Sequence, residues 1–257
     1  MSIRSELRGR IARLAHRVAP EALVLRWLVT RYRRAAHEAI EVFDAYRAPR
    51  GVAVDIGANR GVVTYLLASR FRQVHAFEPS PENGGFLRRN APQNVIVHEV
   101  ALSDSEGTAT LSTPIWWGAA SRTHGSLEKA FAGDQVEQKQ VPMRPLDAFG
   151  LTDVAIVKID VEGHELGVLR GARRTLTEQR PVLWIEIERI HGDEHHPLRV
   201  FELLDELGYD GAFFFEGRWR ALSEFDIDVH QPPSRGGNVS LTRVSDFRFT
   251  PRAGPRP

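Results

Sequence analysis

From residue 51 onward, short apolar runs rich in Val and Ile alternate with stretches whose apolar residues recur at helical spacing, which predicts an α/β domain. Val52–Ile56, Gln73–Phe77, Val154–Ile159 and residues 94–100 and 182–187 are the strand-like runs. The uninterrupted ones mark strands covered on both faces, as in a parallel sheet. Residues 62–69 read as a helix after the first strand. Ser80 suits an N-cap with Pro81 at the first helical position, and that helix ends at Asn90, before Ala91-Pro92. Leu166, Leu169, Ala172 and Leu176 share one helical face, and residues 198–207 form another amphipathic helix closed by Gly208. Strands at 212–215 and 239–241 complete the sheet. The expected fold is a Rossmann-like, doubly wound, mostly parallel seven-stranded sheet with helices on both faces and right-handed crossovers.

Three regions depart from this alternation. Residues 107–112 and 136–141 read as strands of a hairpin-like excursion, and the insertion at 113–135 carries Trp116 and Trp117 among mostly small polar residues. An aromatic pair there suits either a lid over an acceptor or plain packing on the domain. Residues 1–50 hold eleven arginines against five carboxylates, with Ile3, Leu7, Ile11, Leu14 and Val18 at helical spacing. They read as a basic amphipathic helix and, after Pro20, a second helical stretch. Docking on the domain is the expected role of this extension. An anionic membrane surface, nucleic acid, or closure over the acceptor are the alternatives. Residues 250–257, rich in Pro and Arg, are expected to be disordered, so the domain proper spans 51–249.

Composition changes this picture by exclusion. There is no cysteine, so disulfides, thiolate metal sites and a Cys nucleophile are ruled out. A net charge of +1 gives no global field for nucleic acid. The apolar stretch near the N-terminus is broken by Arg26, too short for a bilayer span and unlike the core of a signal peptide, so a cytoplasmic protein is expected.

The chemistry concentrates after the first strand, in Val54-Asp55-Ile56-Gly57-Ala58-Asn59-Arg60-Gly61. Strand, glycine turn and helix together bring a ligand against backbone amides at a helix N-terminus. Gly57 and Gly61 allow the sharp turn. Asp55 decides between ligands: a carboxylate there repels a pyrophosphate but suits an amino group, a sulfonium and ribose hydroxyls. The spacing also lacks the Gly-x-Gly-x-x-Gly of nicotinamide dinucleotide sites. Glu78 ends the second strand, where an acidic residue bonds the ribose of an adenosine ligand. The set points to S-adenosyl-L-methionine.

Together with Phe77-Glu78-Pro79-Ser80-Pro81 and with Lys158-Ile159-Asp160-Val161-Glu162-Gly163-His164-Glu165, followed by Val168-Leu169-Arg170-Gly171-Ala172, this stretch resembles the FkbM family of S-adenosylmethionine-dependent methyltransferases. Ala101-Leu102-Ser103-Asp104 and Pro145-Leu146-Asp147 fit more weakly, and the likeness covers about residues 51–188. The resemblance implies a class I methyltransferase fold and O-methylation of a hydroxyl on a sugar, glycan or small natural product. It leaves residues 1–50 and the tryptophan insertion unexplained.

On this reading Asp55, Gly57, Asn59, Gly61, Glu78, Ala101 and Asp160 hold the cofactor, with Asp160 facing the methyl group. A hydroxyl acceptor needs a general base. His164 is the first candidate and His191 the second; otherwise His164 simply bonds backbone at a helix start. No metal is assigned. If Mg²⁺ took part, Asp160, Glu186 and Glu188, with His191 nearby, are its oxygen-rich candidates; otherwise these carboxylates orient a sugar hydroxyl or pair with Lys158 or Arg189. Residues 191–196 read as a solvated loop. A nucleic-acid methyltransferase using the basic extension and a non-catalytic scaffold are the competing functions.

Overall fold

The structure, a computed structural model, describes Val29 and residues 51–116, 119–120, 125–127, 136–189, 195–232 and 244–253. Eight strands, numbered in chain order, build the main sheet. From one edge they are β11 (Arg218–Ala221), β10 (Tyr209–Phe215), β12 (Asp246–Pro251), β9 (Val182–Glu186), β8 (Val154–Ile159), β1 (Val52–Ile56), β2 (Gln73–Phe77) and β3 (Val95–His98). The five strands from β9 to β3 are parallel, whereas β12 lies antiparallel to both β9 and β10. All five residues of β1 are buried, as its uninterrupted apolar run requires.

Helices cover both faces. Helix α1 (Val62–Ala68) packs Leu66 and Leu67 against Ala53, Val74 and Ile156. On the same face α2 (Pro81–Asn90) sets Leu87 against Ala76. Ser80 caps α2 as expected, its hydroxyl accepting from the Asn83 amide at 3.4 Å. The opposite face carries α3 (Glu165–Gly171), α4 (Arg173–Glu178) and α5 (His196–Glu206), whose Val168, Leu169, Leu176, Val200 and Leu204 join Val54, Ile56, Val157 and Ile185 in the largest core cluster. The expected doubly wound fold is therefore present, with one strand more than expected. After Phe215 the chain reverses at Glu216 and Gly217, both left-handed, and returns as β11.

The hairpin-like excursion is a separate sheet ordered β4 (Ala101–Leu102), β7 (Val136–Arg144), β5 (Gly107–Trp116) and β6 (Ala119–Ala120). Trp116 ends β5; its side chain and Trp117 lie outside the described residues. So do residues 1–28 and 30–50, although Val29 is helical and packs against the cluster under α1. Residues 239–241, expected as a strand, are likewise outside them. The expected disorder from residue 250 needs correction for Thr250 and Pro251, which belong to β12. Phe247 and Phe249 bury one face of that strand, and its backbone pairing outweighs the proline-rich composition that follows.

Candidate functional site

The turn between β1 and α1 folds its amides inward. Gly57 and Ala58 both donate to the Phe77 carbonyl at 3.0 Å, and Gly61 donates to the Ala58 carbonyl at 2.9 Å. The Asn59 amide reaches Glu78 Oε2 at 2.7 Å, and the Arg60 amide reaches Asn59 Oδ1 at 2.8 Å. Five consecutive amides, from Gly57 to Gly61, are thus engaged within the protein, ahead of the helix N-terminus at which a ligand is expected. The left-handed conformations of Gly57, Asn59 and Gly61 curl the chain toward the end of β2. A Cβ on Gly57 would lie 1.8 Å from the Asp160 carbonyl oxygen, so the loops after β1 and β8 touch through that glycine.

Above this contact lies a cavity of about 570 Å³ at the carboxyl ends of β1, β2 and β8, where the strand order switches direction. Gly57, Asn59, Glu78, Ala101, Asp160 and His164 all line it, whereas Asp55, Gly61, Glu186 and Glu188 do not. Gly61 packs against Leu87 of α2. His191 lies outside the described residues. Glu78 is 6% exposed. Each of its oxygens accepts one amide, from Asn59 and from Ser80 at 2.8 Å, which leaves lone pairs for a ligand. Burial pushes its pKa up to about 7 against the pull of those two bonds.

Strand alternation explains why Asp55 is beneath the cavity and not on its wall. Ile56 points to the face of α3, so Asp55 points with Ala53 toward α1, where Thr64 donates to its Oδ2 at 2.6 Å. Lys158 is its register partner on β8 and shares that face. Its ammonium lies 3.1 Å from Asp160 Oδ2, 3.4 Å from the Gly57 carbonyl and 3.7 Å from Asp55 Oδ1. Burial favours a neutral Lys158, but Asp160, Asp55 and Glu186 outweigh it and raise its pKa. Burial first, then Asp160 and Asp246, push Glu186 up to about 9. Strand β9 ends at Glu186, so Glu188 lies beyond it. Among the described residues no three His, Asp or Glu side chains are spaced to hold a metal, and of the three expected carboxylates Asp160 pairs with Lys158.

On the other side of the cavity His164 stands at the start of α3. Its ring lies over Gly167, where a Cβ would meet Nε2 at 2.5 Å, and Nε2 is 2.9 Å from Ser103 Oγ. Gly171, one turn on, lets α3 meet the Ser103 carbonyl. Ser103, which sequence reasoning did not single out, is the buried partner that orients His164. The remaining wall comes from the second sheet through Leu111, Thr113, Glu137 and Lys139. Lys139 pairs with Glu82 of α2 and lies 3.3 Å from Glu137, so it spans the two walls.

A family model described as the methyltransferase FkbM domain matches residues 55–210, which contain every site residue placed above. The chain belongs to the FkbM methyltransferase family. Over 186 residues it is 32% identical to the hexuronic acid methyltransferase AglP of Haloferax volcanii, covering 68% of this chain and 72% of that one. The crystal structure of an FkbM methyltransferase from Methylobacillus flagellatus KT aligns with a TM-score of 0.49 at 18% identity, over 94% of this chain. This chain spans 59% of the length of that protein. A precorrin-6y C5,15-methyltransferase from Geobacter metallireducens GS-15 aligns with a TM-score of 0.46 at 13% identity, covering 84% and 87% of the two chains. In this FkbM domain the Lys158–Glu165 stretch supplies both Asp160 and His164 to one cavity.

Proposed function

We propose that this FkbM methyltransferase uses S-adenosylmethionine and methylates a hydroxyl oxygen of a sugar, with a uronic acid-containing glycan as the acceptor class. The observation that carries the cofactor reading is the occupied turn: a pyrophosphate would find its amides spent and Glu78 and Asp160 facing it. A cationic sulfonium ligand with ribose hydroxyls suits that wall, and the cavity volume falls within the range of small-molecule sites. The acceptor class rests on the similarity to a hexuronic acid methyltransferase.

When bound, the cofactor supplies an electrophilic methyl group. Glu78 accepts from the ribose hydroxyls, and Asp160 balances positive charge on the cavity wall. His164, oriented by Ser103, takes the proton that the acceptor hydroxyl loses as it attacks. Holding cofactor and acceptor together in one cavity would supply much of the acceleration of such a displacement.

The test is a titration with S-adenosylmethionine followed by turnover on uronic acid-containing oligosaccharides, for the wild type and His164→Gln. The expected result is near-equal cofactor affinity with turnover reduced roughly a hundredfold or more. A variant that keeps full turnover would remove His164 as the base. Absence of cofactor binding in the wild type would overturn the reading.

A further inference from the structure

Lys158 has three oxygen partners that belong to three different parts of the site. Asp55 lies within strand β1, the Gly57 carbonyl in the turn after it, and Asp160 in the loop after β8. The residue is 6% exposed and is absent from the cavity lining, so it approaches the cavity from below. Burying an ammonium costs several kcal/mol unless partners compensate, and here the compensating groups are those that shape the site. Alternation and register produce the arrangement. Lys158 pairs with Asp55 across β1 and β8, and Asp160, two residues on, returns to the same face. No other described lysine is as deeply buried.

The two loops that Lys158 joins are also the two that meet at Gly57, where the Asp160 carbonyl leaves no room for a Cβ. At the same place the Asp160 amide donates to the Ile56 carbonyl at 3.0 Å, which joins the strand ends but leaves the Gly57 carbonyl and the Asp160 carboxylate to be placed. The ammonium adds the tie between those two groups, through one bond to each loop. Asp55 Oδ1, at ion-pair distance and without a hydrogen bond, keeps the charge centred under the turn.

We infer that Lys158 is a positioning residue for the cofactor cavity: its buried ammonium ties the Gly57 turn to the Asp160 carboxylate and so sets the wall that S-adenosylmethionine meets. The inference rests on the cofactor reading above. The lysine's effect on the cofactor runs through Asp160, so removing Lys158 weakens binding less once Asp160 has no carboxylate to place.

The experiment is a double-mutant cycle read by isothermal titration with S-adenosylmethionine on the wild type, Lys158→Met, Asp160→Asn and the double variant. Far-ultraviolet circular dichroism and thermal melts establish that each is folded. Lys158→Met is expected to weaken binding about tenfold or more, the size of one charge-assisted hydrogen bond, but less than about threefold when Asp160 is already Asn. Lys158→Gln, which keeps a donor at similar reach, is expected to retain part of the lost affinity and stands in if the Met variant does not fold. Equal losses in both backgrounds, no loss in either, or no difference between Met and Gln would overturn the positioning role. A wild type that binds no S-adenosylmethionine would instead refute the cofactor reading.

Discussion

Glu78 titrates near neutral pH, and that makes it a reporter of ligand binding. Burial raises its pKa to about 7, whereas ribose hydroxyls donate best to the ionised form. Ligand binding therefore selects the carboxylate. Affinity for S-adenosylmethionine is expected to fall as pH drops below 7, toward about tenfold per pH unit, and Glu78→Gln should weaken binding and flatten that dependence in the same titration. Gly57 is constrained twice, by a φ of 73° and by the Asp160 carbonyl. Gly57→Ala should cost at least about 2 kcal/mol in a denaturant melt and abolish cofactor binding. Gly57, Glu78, Asp160 and His164 were legible in the sequence because each sits in a contiguous motif that follows a strand. The pairing of Asp55 with Lys158 was not, because it arises from register between strands a hundred residues apart. Asp55, expected to hold the cofactor, lies beneath the cavity because its motif is local but its direction is set by the strand's two-residue period.

At the scale of elements, the second sheet is what separates this cavity from a bare cofactor crevice. Strands β5 and β7 pair over eight positions, Gly107 with Met143 through Pro114 with Val136, and β4 adds the edge nearest Ser103. The excursion was visible in the sequence as two polar-alternating runs, but not its pairing to β4, whose two residues carry no pattern. Lys139 fastens this sheet to α2 through Glu82 and holds that carboxyl below its usual range. Lys139→Ala should change stability by under about 1 kcal/mol, since Glu82 is largely exposed. It is expected to raise the acceptor's KM several-fold with the cofactor's Kd unchanged. Equal changes in both constants would place the strap on the cofactor side.

Across the whole molecule, buried acids make stability depend on pH. Glu186 keeps its proton in the fold up to about 9, whereas the unfolded chain releases it near 4.5. The folded state thus binds more protons across that window, and stability falls as pH rises through it. Glu186→Gln should leave the melting temperature at pH 5 nearly unchanged and raise it at pH 8, by roughly 2–4 °C for each kcal/mol of penalty removed. The doubly wound core was readable because its strands are apolar and its helices periodic. The antiparallel end was only partly so, since β12 carries its signal in two phenylalanines next to a proline- and arginine-rich stretch. That strand has a consequence for biosynthesis. It lies between β9 and β10, hydrogen-bonded to both, yet follows both in the chain. Until residues 246–251 have been made the main sheet cannot close, because the gap left between β9 and β10 is internal. Each growing chain therefore carries two unpaired strand edges until its seam is translated, and that interval is when it most needs a chaperone.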